Sequence, residues 1–294
     1  MTRTTTSRAI TTSTVGEGTA AVTYDVHGDL AAATADRPAL FAIGSPMDAS
    51  GFGTLLGLVT DRPVVTYDPR GSGRNPTATA PITVEEHADD LHRVIDALGA
   101  GPVDLFASSG GAVNALALVA THPGDVRRVV AHEPPTAALL PDRVHVLAAV
   151  AAITRTYAAE GQGPAMARFM ALIMHRGEVD ASFSAQPAPD AAAFGAAAED
   201  DGSRTDPMMR SVAACASYEP DVTALAALGD RLIVAVGAGS DDEVAARGAR
   251  SVAAALGREA VVFPGDHSGF LGGEFGQSGE PVPFAARLLE ALAA

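Results

Sequence analysis

Short apolar runs alternate with longer helix-forming runs along most of this chain, and this alternation is what most restricts its fold. The helix-like segment 83–98, for example, begins with a Thr cap and early acidic residues and ends before Gly99. Strands buried on both faces that alternate with helices predict a doubly wound α/β sheet with mostly parallel strands. The seven strand-like runs are 21–26, 39–43, 63–67, 103–107, 128–132, 231–236 and 259–263.

One stretch, from about residue 136 to 221, interrupts the alternation because it contains no strand-like run. Helices are predicted there over 144–160 and 164–175. The pattern predicts a helical insert, 136–221, between two strands of a core formed by 1–135 and 222–294. Ligands of open α/β sheets bind beyond the carboxyl ends of the strands, so an insert at this position would cover the ligand site.

The segment Ala-Ser-Ser-Gly-Gly at 107–111 joins a strand-like run to a long apolar helical run. Small-x-Ser-x-Gly between a strand and a helix is the pattern of a nucleophile elbow, a turn so tight that it needs small residues two places before and after the serine. The central residue then has a strained backbone and a side chain directed away from the sheet. The pattern predicts Ser109 as a catalytic nucleophile, although serine and glycine are also common in ordinary loops.

Two further loops contain the groups that a serine nucleophile needs. His267 follows the last strand-like run, and a neutral imidazole is suited to take the proton of a serine hydroxyl near neutral pH. A Gly-Ser-Pro segment at 44–46 follows an early strand-like run. In isolation it is an ordinary turn, but its position relative to the elbow favours an oxyanion hole. We expect the backbone N–H groups of Ser45 and Gly110 to form that hole.

Together these motifs resemble the α/β-hydrolase-fold superfamily, in its form with a helical cap, over about residues 20–291. The resemblance implies a mostly parallel eight-stranded doubly wound sheet with a helical cap insert, a serine hydrolase, no cofactor and no metal. It also implies that Arg70 ties loops together. Two positions depart from the usual pattern, because Ile43 stands where members often have His and Ala107 where Gly is commoner. The matching segments are 44–46, Asp-Pro-Arg-Gly-Ser-Gly-Arg at 68–74, 107–111 and Pro-Gly-Asp-His at 264–267.

The resemblance also implies a carboxylate that orients His267, and two placements remain open. After the penultimate strand, the usual position three residues beyond Gly237 holds Ser240, and Asp241 follows it. After the sixth strand stands Glu133, which ends a strand-like run and precedes two prolines. We favour Glu133, because a carboxylate at the end of a buried strand is hard to explain as a solvated charge. Asp241 has a second interpretation, as part of the acidic start of a helix.

The predicted insert contains apolar and sulfur-containing side chains that adapt to varied apolar ligands, although plain helix packing explains each of them singly. Together with two residues near the expected site, they form the predicted substrate-binding set: Met47, Phe169, Met170, Ile173, Met174 and Phe270. The sequence shows no cluster of Arg or Lys residues that would bind a phosphate group, so it gives no indication of a phosphorylated substrate.

The resemblance and the serine at the elbow point to acyl chemistry on a medium-sized, largely apolar small molecule. An ester, thioester, lactone or related carbonyl bond would be cleaved through an acyl-enzyme on Ser109. Dehalogenases and epoxide hydrolases of this fold need a carboxylate nucleophile instead. Two alternatives stay open: a non-catalytic ligand-binding protein on the same fold, and a C–C hydrolase or cofactor-free peroxidase with the same triad.

Composition excludes several partners and favours one compartment. The 35 acidic residues exceed the 20 basic ones by 15, which argues against nucleic acid and anionic membranes. The single cysteine allows no intrachain disulfide and suits a reducing cytoplasm. Residues 1–15 lack the apolar core of a signal peptide, and no apolar window reaches the length of a membrane span. The expected partner is a small-molecule substrate, and a homodimer is left open.

Overall fold

A computed structural model describes residues 8–194 and 200–294 of the chain, and within these ranges eight strands form one sheet. The strands are β1 (Ile10–Val15), β2 (Val22–His27), β3 (Leu40–Ile43), β4 (Val64–Tyr67), β5 (Val103–Ser108), β6 (Val126–His132), β7 (Leu232–Gly237) and β8 (Val261–Phe263). Their order across the sheet is β1-β2-β4-β3-β5-β6-β7-β8. β2 pairs antiparallel with β1 and β4, and the other neighbouring pairs are parallel. The predicted mostly parallel eight-stranded sheet is confirmed.

The first strand was missing from the seven runs that the sequence indicates, because it has little apolar signal. β1 reads Ile-Thr-Thr-Ser-Thr-Val and is mostly exposed. It pairs with β2 along its whole length, with Ile10 opposite His27 and Val15 opposite Val22. Threonine is β-branched and suits an exposed edge strand, but such a strand has no buried face for a hydrophobic pattern to report.

The helices in the described ranges are α1 (Gly53–Leu58), α2 (Val84–Leu98), α3 (Gly110–Thr121), α4 (Arg143–Glu160), α5 (Gln162–Ile173), α6 (Pro207–Ser217), α7 (Val222–Ala227), α8 (Val244–Ala255) and α9 (Pro281–Ala293). The predicted start and end of α2 are correct. Its cap is reciprocal, since the Glu86 N–H donates to Thr83 Oγ1 at 3.1 Å and the Thr83 N–H donates to the Glu86 carboxylate at 2.9 Å. Among the described helices, none combines the length and the apolar character needed to cross a bilayer.

Helices cover both faces of the sheet, because successive strand residues point to opposite sides. Phe41 of β3 and Leu105 of β5 belong to a buried cluster that includes residues of α2, α3, α7 and α8. Their chain neighbours Leu40 and Phe106 belong to a second cluster, with α1 and α9. The strands in the middle of the sheet are therefore apolar on both faces, which is why their sequences are continuous apolar runs.

The chain between β6 and α7 is helical in its described part, with α4, α5 and α6 and no strand. Sequence predicted α4 and α5 within two residues at either end but not α6. Apolar side chains of these helices form a third buried cluster. Asp142 before α4 ties this cluster to the sheet-covering helices, because it accepts from the Val179 N–H at 2.6 Å and pairs with Arg247 of α8.

The division into a core of 1–135 and 222–294 and an insert of 136–221 stays a prediction. Parts of it, residues 1–7 and 195–199, lie outside the described residues.

The segment 68–74 is held by ion pairs to neighbouring elements. Arg70 donates to both carboxylate oxygens of Asp90 on α2, at 3.0 and 2.6 Å, and Asp90 is fully buried. The contact joins the loop to helix α2, whereas the resemblance implies a contact between loops. Gly73 is required here, because a Cβ at this position would lie 2.5 Å from a carboxylate oxygen of Asp68.

Candidate active site

Ser109 lies at the turn between β5 and α3 with φ 58° and ψ −127°. Few residues other than glycine adopt this backbone conformation, and where they do it is often at a functional site. The turn is pinned on one side by the Ser109 N–H, which donates to the His132 carbonyl of β6 at 3.0 Å. On the other side a Cβ on Gly110 would lie 2.5 Å from the Ser45 carbonyl oxygen, and one on Gly111 would lie 2.9 Å from the Gly44 backbone. The two glycines are therefore needed because the loop after β3 packs directly against the turn.

A buried carboxylate lies beside the predicted base. Glu133, the residue after β6, is fully buried, and its Oε2 lies 2.6 Å from Nδ1 of His267. The Gly237 N–H donates to its other oxygen, Oε1, at 2.7 Å. Since an ionised carboxylate only accepts hydrogen bonds, the proton of a neutral His267 lies on Nδ1, and Nε2 is the free base. Glu133 has φ 51°, an uncommon positive value for a residue other than glycine, as at Ser109.

The interaction between Glu133 and His267 favours the charged form of each, a carboxylate and an imidazolium. Burial opposes ionisation of Glu133, but the hydrogen bond and the charge of His267 outweigh burial and lower the pKa of the carboxyl to about 2. Burial likewise disfavours a charged His267 ring, yet the hydrogen bond and the charge of Glu133 raise its pKa above the ordinary value. The pair is thus arranged to stabilise an imidazolium when the ring takes up a proton.

The second candidate acid lies elsewhere. The Asp241 side chain is 57% exposed and pairs with Arg176 at 2.9 Å. Ser240, at the position where the superfamily usually has its acid, is fully buried. The structure thus brings Glu133 to His267 and directs Asp241 to the surface, while the catalytic role of either carboxylate stays a prediction.

Ser109 and His267 face a common cavity of about 470 Å³. Ser45 and Gly110 also line it, next to the elbow. Helices α4, α5 and α6 supply much of the opposite wall, which is mainly apolar. That wall includes four of the predicted substrate-binding residues and several others: Val146, Val150, Phe169, Met170, Leu172, Ile173, Met174, Met208 and Val212.

The other two predicted substrate-binding residues do not line this cavity. Phe270 is buried against Phe52 and Phe106, with ring centroids 5.6 and 5.4 Å away. Met47 packs at the same side of the sheet, over Gly51. Both follow loops of the site closely in sequence, but their side chains point into the core under α1 and α9. This corrects the prediction, which used loop position and could not tell which way each side chain points.

The two most buried polar residues of the cavity wall that the sequence analysis did not single out are on α2 and α3. His87 on α2 and Asn114 on α3 line the cavity and are 3% and 2% exposed. A signal was present for His87, since it shares the helical face of Val84, Ala88 and Leu91, which are all buried. A histidine on an otherwise apolar stripe is unusual enough to single out.

One group in the described part of the chain could offer three ligands to a metal ion: His92, His122 and Asp125. It lies beyond the far end of α3 from Ser109. His92 Nδ1 lies 2.7 Å from the Asp125 carboxylate, and the rings of His92 and His122 stack at 3.8 Å. The group is separate from the cavity.

Comparisons with known proteins agree with this architecture. The family model described as alpha/beta hydrolase fold matches residues 54–273. The uncharacterized hydrolase YraK of Bacillus subtilis is 42% identical over 73 residues, which is 24% of this chain and 27% of that protein. A putative carbamate hydrolase, RutD of Caulobacter segnis, is 33% identical over 112 residues, 37% of this chain and 41% of that protein. The chain thus matches less than half the length of either relative.

Solved structures resemble most of the chain at low identity. An esterase from Thermogutta terrifontis superposes with a TM-score of 0.64 and 20% identity, covering 93% of this chain and 94% of the other. An alpha/beta hydrolase, MGS-M2, from a Medee basin deep-sea metagenome gives 0.68 at 14% identity, with coverage of 93% and 94%. The enol-lactonase of Burkholderia xenovorans gives 0.60 at 18%, with coverage of 93% and 97%. At these identities the likeness concerns the fold.

Proposed function

The chain belongs to the α/β-hydrolase-fold family, and from that premise we propose that it is a serine hydrolase acting on a small carbonyl compound. The observation that supports this most is the buried Glu133–His267 pair, whose ring faces the same cavity as the strained Ser109. A carboxylate that fixes the tautomer of a histidine, with a serine on a tight turn nearby, is the arrangement for nucleophilic acyl transfer.

In the first half of the reaction the Ser109 hydroxyl oxygen attacks the substrate carbonyl carbon while Nε2 of His267 takes the hydroxyl proton. Glu133 stabilises the resulting imidazolium. The backbone N–H groups of Ser45 and Gly110 hold the oxyanion of the tetrahedral intermediate. The close packing of Ser45 on Gly110 supports this assignment, since it keeps both peptide groups at the elbow. The intermediate collapses, the imidazolium protonates the leaving group, and an acyl-enzyme on Ser109 remains.

In the second half a water molecule takes the place of the leaving group. His267 removes a proton from the water, the hydroxide attacks the acyl carbon, and the acid product leaves as Ser109 recovers its proton. The net change is hydrolysis of one acyl bond, with no cofactor and no metal. Attack by water requires the same base and the same oxyanion hole, so one set of residues serves both halves.

The cavity supports a medium-sized, largely apolar substrate. Its volume of about 470 Å³ lies in the range of small-molecule sites, about 300–1,000 Å³. We propose that segment 136–221 acts as the cap that encloses this substrate, because α4, α5 and α6 line the wall opposite the elbow. Esters, thioesters and lactones fit the chemistry, and the names of the esterase, enol-lactonase and carbamate hydrolase relatives fall in the same class.

A fluorophosphonate probe tests the proposal, because it phosphonylates an activated serine. We expect mass spectrometry to find the adduct on Ser109, and hydrolysis of p-nitrophenyl butyrate to disappear in parallel. Ser108→Ala is the matched control, since it alters the neighbouring hydroxyl and leaves the nucleophile; it should label and turn over like the wild type. Ser109→Ala should do neither.

The same experiment distinguishes a serine hydrolase from the alternative, a non-catalytic ligand-binding protein. A folded wild-type protein that takes no label on Ser109 and hydrolyses no activated ester would be a ligand-binding protein. Family membership alone does not decide this, because many functions occur on one fold.

A further inference from the structure

Two buried polar side chains of the cavity wall have no hydrogen-bond partner in the described part of the protein. The atoms without a partner are the two ring nitrogens of His87 and the amide nitrogen Nδ2 of Asn114. Both side chains are more than nine-tenths buried, and both line the cavity that contains Ser109 and His267. Burying a polar group without a partner costs free energy, so such groups are rare and usually have a functional explanation. A ligand that supplies the partner is one such explanation.

The chemistry of these groups defines the partner. Burial, assisted by the nearby positive charge of Arg70, lowers the pKa of His87 to about 4, so the ring is neutral at neutral pH. A neutral imidazole offers one N–H donor and one acceptor, and Nδ2 of Asn114 offers donors only. Among these unpartnered nitrogens, donors therefore outnumber acceptors, and the matching ligand atom is an oxygen with lone pairs: a ketone, an amide carbonyl or a hydroxyl.

The position of Asn114 relates this oxygen to the reacting bond. Asn114 stands four residues after Gly110 on α3, so the two lie on one face of the helix, and both line the cavity. Four residues correspond to about 6 Å along a helix axis. Since Gly110 follows the nucleophile, the second oxygen would lie about one helical turn from the carbonyl that Ser109 attacks. Carboxylates and phosphates are poorer ligands, because no cationic side chain lines the described wall of the cavity apart from His267, if protonated.

We propose that His87 and Asn114 form a polar subsite that hydrogen bonds a second oxygen function of the substrate. The preferred substrates are then oxo- or hydroxy-substituted acyl compounds rather than plain hydrocarbon esters. This inference rests on the proposed function and narrows its substrate class.

Two matched pairs of esters test the subsite on either side of the scissile bond. On the acyl side the pair is p-nitrophenyl hexanoate and p-nitrophenyl 5-oxohexanoate; on the alcohol side it is butyl hexanoate and 3-oxobutyl hexanoate. We expect the wild type to prefer the oxo compound by about tenfold or more in kcat/KM in at least one pair, as a buried hydrogen-bonding site does.

His87→Phe and Asn114→Leu replace the polar groups by apolar ones of similar size. Each variant should lose most of that preference, measured as the ratio of kcat/KM for the oxo ester to kcat/KM for the plain ester within the same variant, so that a change in the absolute rate cancels. Neither change should lower the melting temperature, because each removes a buried group without a protein partner. Cys215→Ala is the control, since Cys215 also lines the cavity and its loss should leave the preference intact.

Three results would overturn the subsite: a wild type without preference in either pair, a preference that survives in both variants, or an equal loss in Cys215→Ala. Failure of the proposed function looks different, since then no ester is cleaved and Ser109 takes no fluorophosphonate label.

Discussion

The predicted nucleophile and the predicted acid both have a positive φ, which residues other than glycine rarely adopt. Ser109 and Glu133 have φ values of 58° and 51°. A non-glycine residue in such a region costs about 1–3 kcal/mol and persists only when its surroundings hold it. At Glu133 the surroundings are the Gly237 N–H and the His267 ring, one for each carboxylate oxygen. Asp241 also has a positive φ, 44°, so the contacts of the carboxylate, and not the backbone alone, distinguish Glu133 as the partner of His267.

Replacing Glu133 by Gln tests this alignment. An amide keeps the shape but removes the charge that stabilises the imidazolium, so we expect kcat to fall by about 10²–10⁴. Asp241→Asn is the matched control, because its side chain is exposed and paired with Arg176; we expect its kcat to stay within about twofold. Steady-state hydrolysis of p-nitrophenyl butyrate measures both. An equal loss in the two variants, or a loss confined to Asp241→Asn, would contradict the assignment of Glu133.

The pH profile gives the same variant a second readout. His267 must be neutral to accept a proton, and Glu133 raises its pKa, so wild-type kcat/KM should rise with pH through a value above 6.5. Without the carboxylate the imidazolium is less stable, and the acidic limb should shift to lower pH in the residual activity of Glu133→Gln. A merely structural role for Glu133 would leave the limb in place.

Most of the candidate catalytic residues could be predicted from the sequence, but the directions of their side chains could not. Ser109, His267 and Glu133 were predictable as candidates because each follows a strand-like run, and parallel strands bring their carboxyl ends together. The sequence could not decide between Glu133 and Asp241, since both follow strands and the pattern does not show which side chain reaches His267. Met47 and Phe270 were misplaced for the same reason.

At the scale of elements, the loop that presents His267 depends on close contact with the end of β7. A Cβ on Gly237 would lie 2.7–2.8 Å from backbone atoms of Asp266, the residue before the base. Backbone atoms cannot move aside as the end of a flexible side chain can. Gly237 also donates to Glu133, so the end of one strand positions both the acid and the loop of the base.

Gly237→Ala should therefore displace His267 relative to Ser109. We expect kcat to fall by about tenfold to a hundredfold, because small displacements of catalytic groups have effects of this size. Gly239→Ala is the matched control in the same loop, since its Cβ would meet nothing closer than 3.5 Å. Activity and melting temperature of both variants provide the measurement. A fully active Gly237→Ala would show that the loop is not held by this contact.

Elements also differ in how visible they are to sequence. The strands in the middle of the sheet were predicted because they are buried on both faces and therefore have continuous apolar sequences. Helix α2 was predicted because one of its faces is buried, which gives an amphipathic sequence that begins with a cap. β1 and α6 were not predicted. β1 is an exposed edge strand with little apolar content, and α6 follows polar loop sequence that resembles a long connection.

For the whole molecule, two buried histidines make stability depend on pH. His87 lies in the cavity wall and His132 at the end of β6, and all four of their ring nitrogens lack partners within the described residues. Burial is the main cause that lowers the pKa of each to about 4. The unfolded chain, in which a histidine has a pKa near 6.5, therefore binds protons more readily than the folded one. The stability present above pH 6.5 is lost as the pH falls toward 4.

Each histidine should remove about 2–3 kcal/mol from the free energy of unfolding between pH 7 and pH 4.5. Urea unfolding at pH 7, 5.5 and 4.5 measures the loss in the wild type, in His87→Phe, in His132→Phe and in the double variant. Each single variant should reduce the decline by that amount relative to the wild type, and the double variant by about twice as much. The Glu133 carboxyl does not affect this pH window, because its pKa is lowered to about 2 and its contribution to protein stability is lost only below about pH 4.5.

An unchanged decline in the double variant would mean that other groups govern the acid sensitivity of the protein. A decline that only His132→Phe removes would mean that His87 is solvated in the folded protein, which would also weaken the case for a polar subsite.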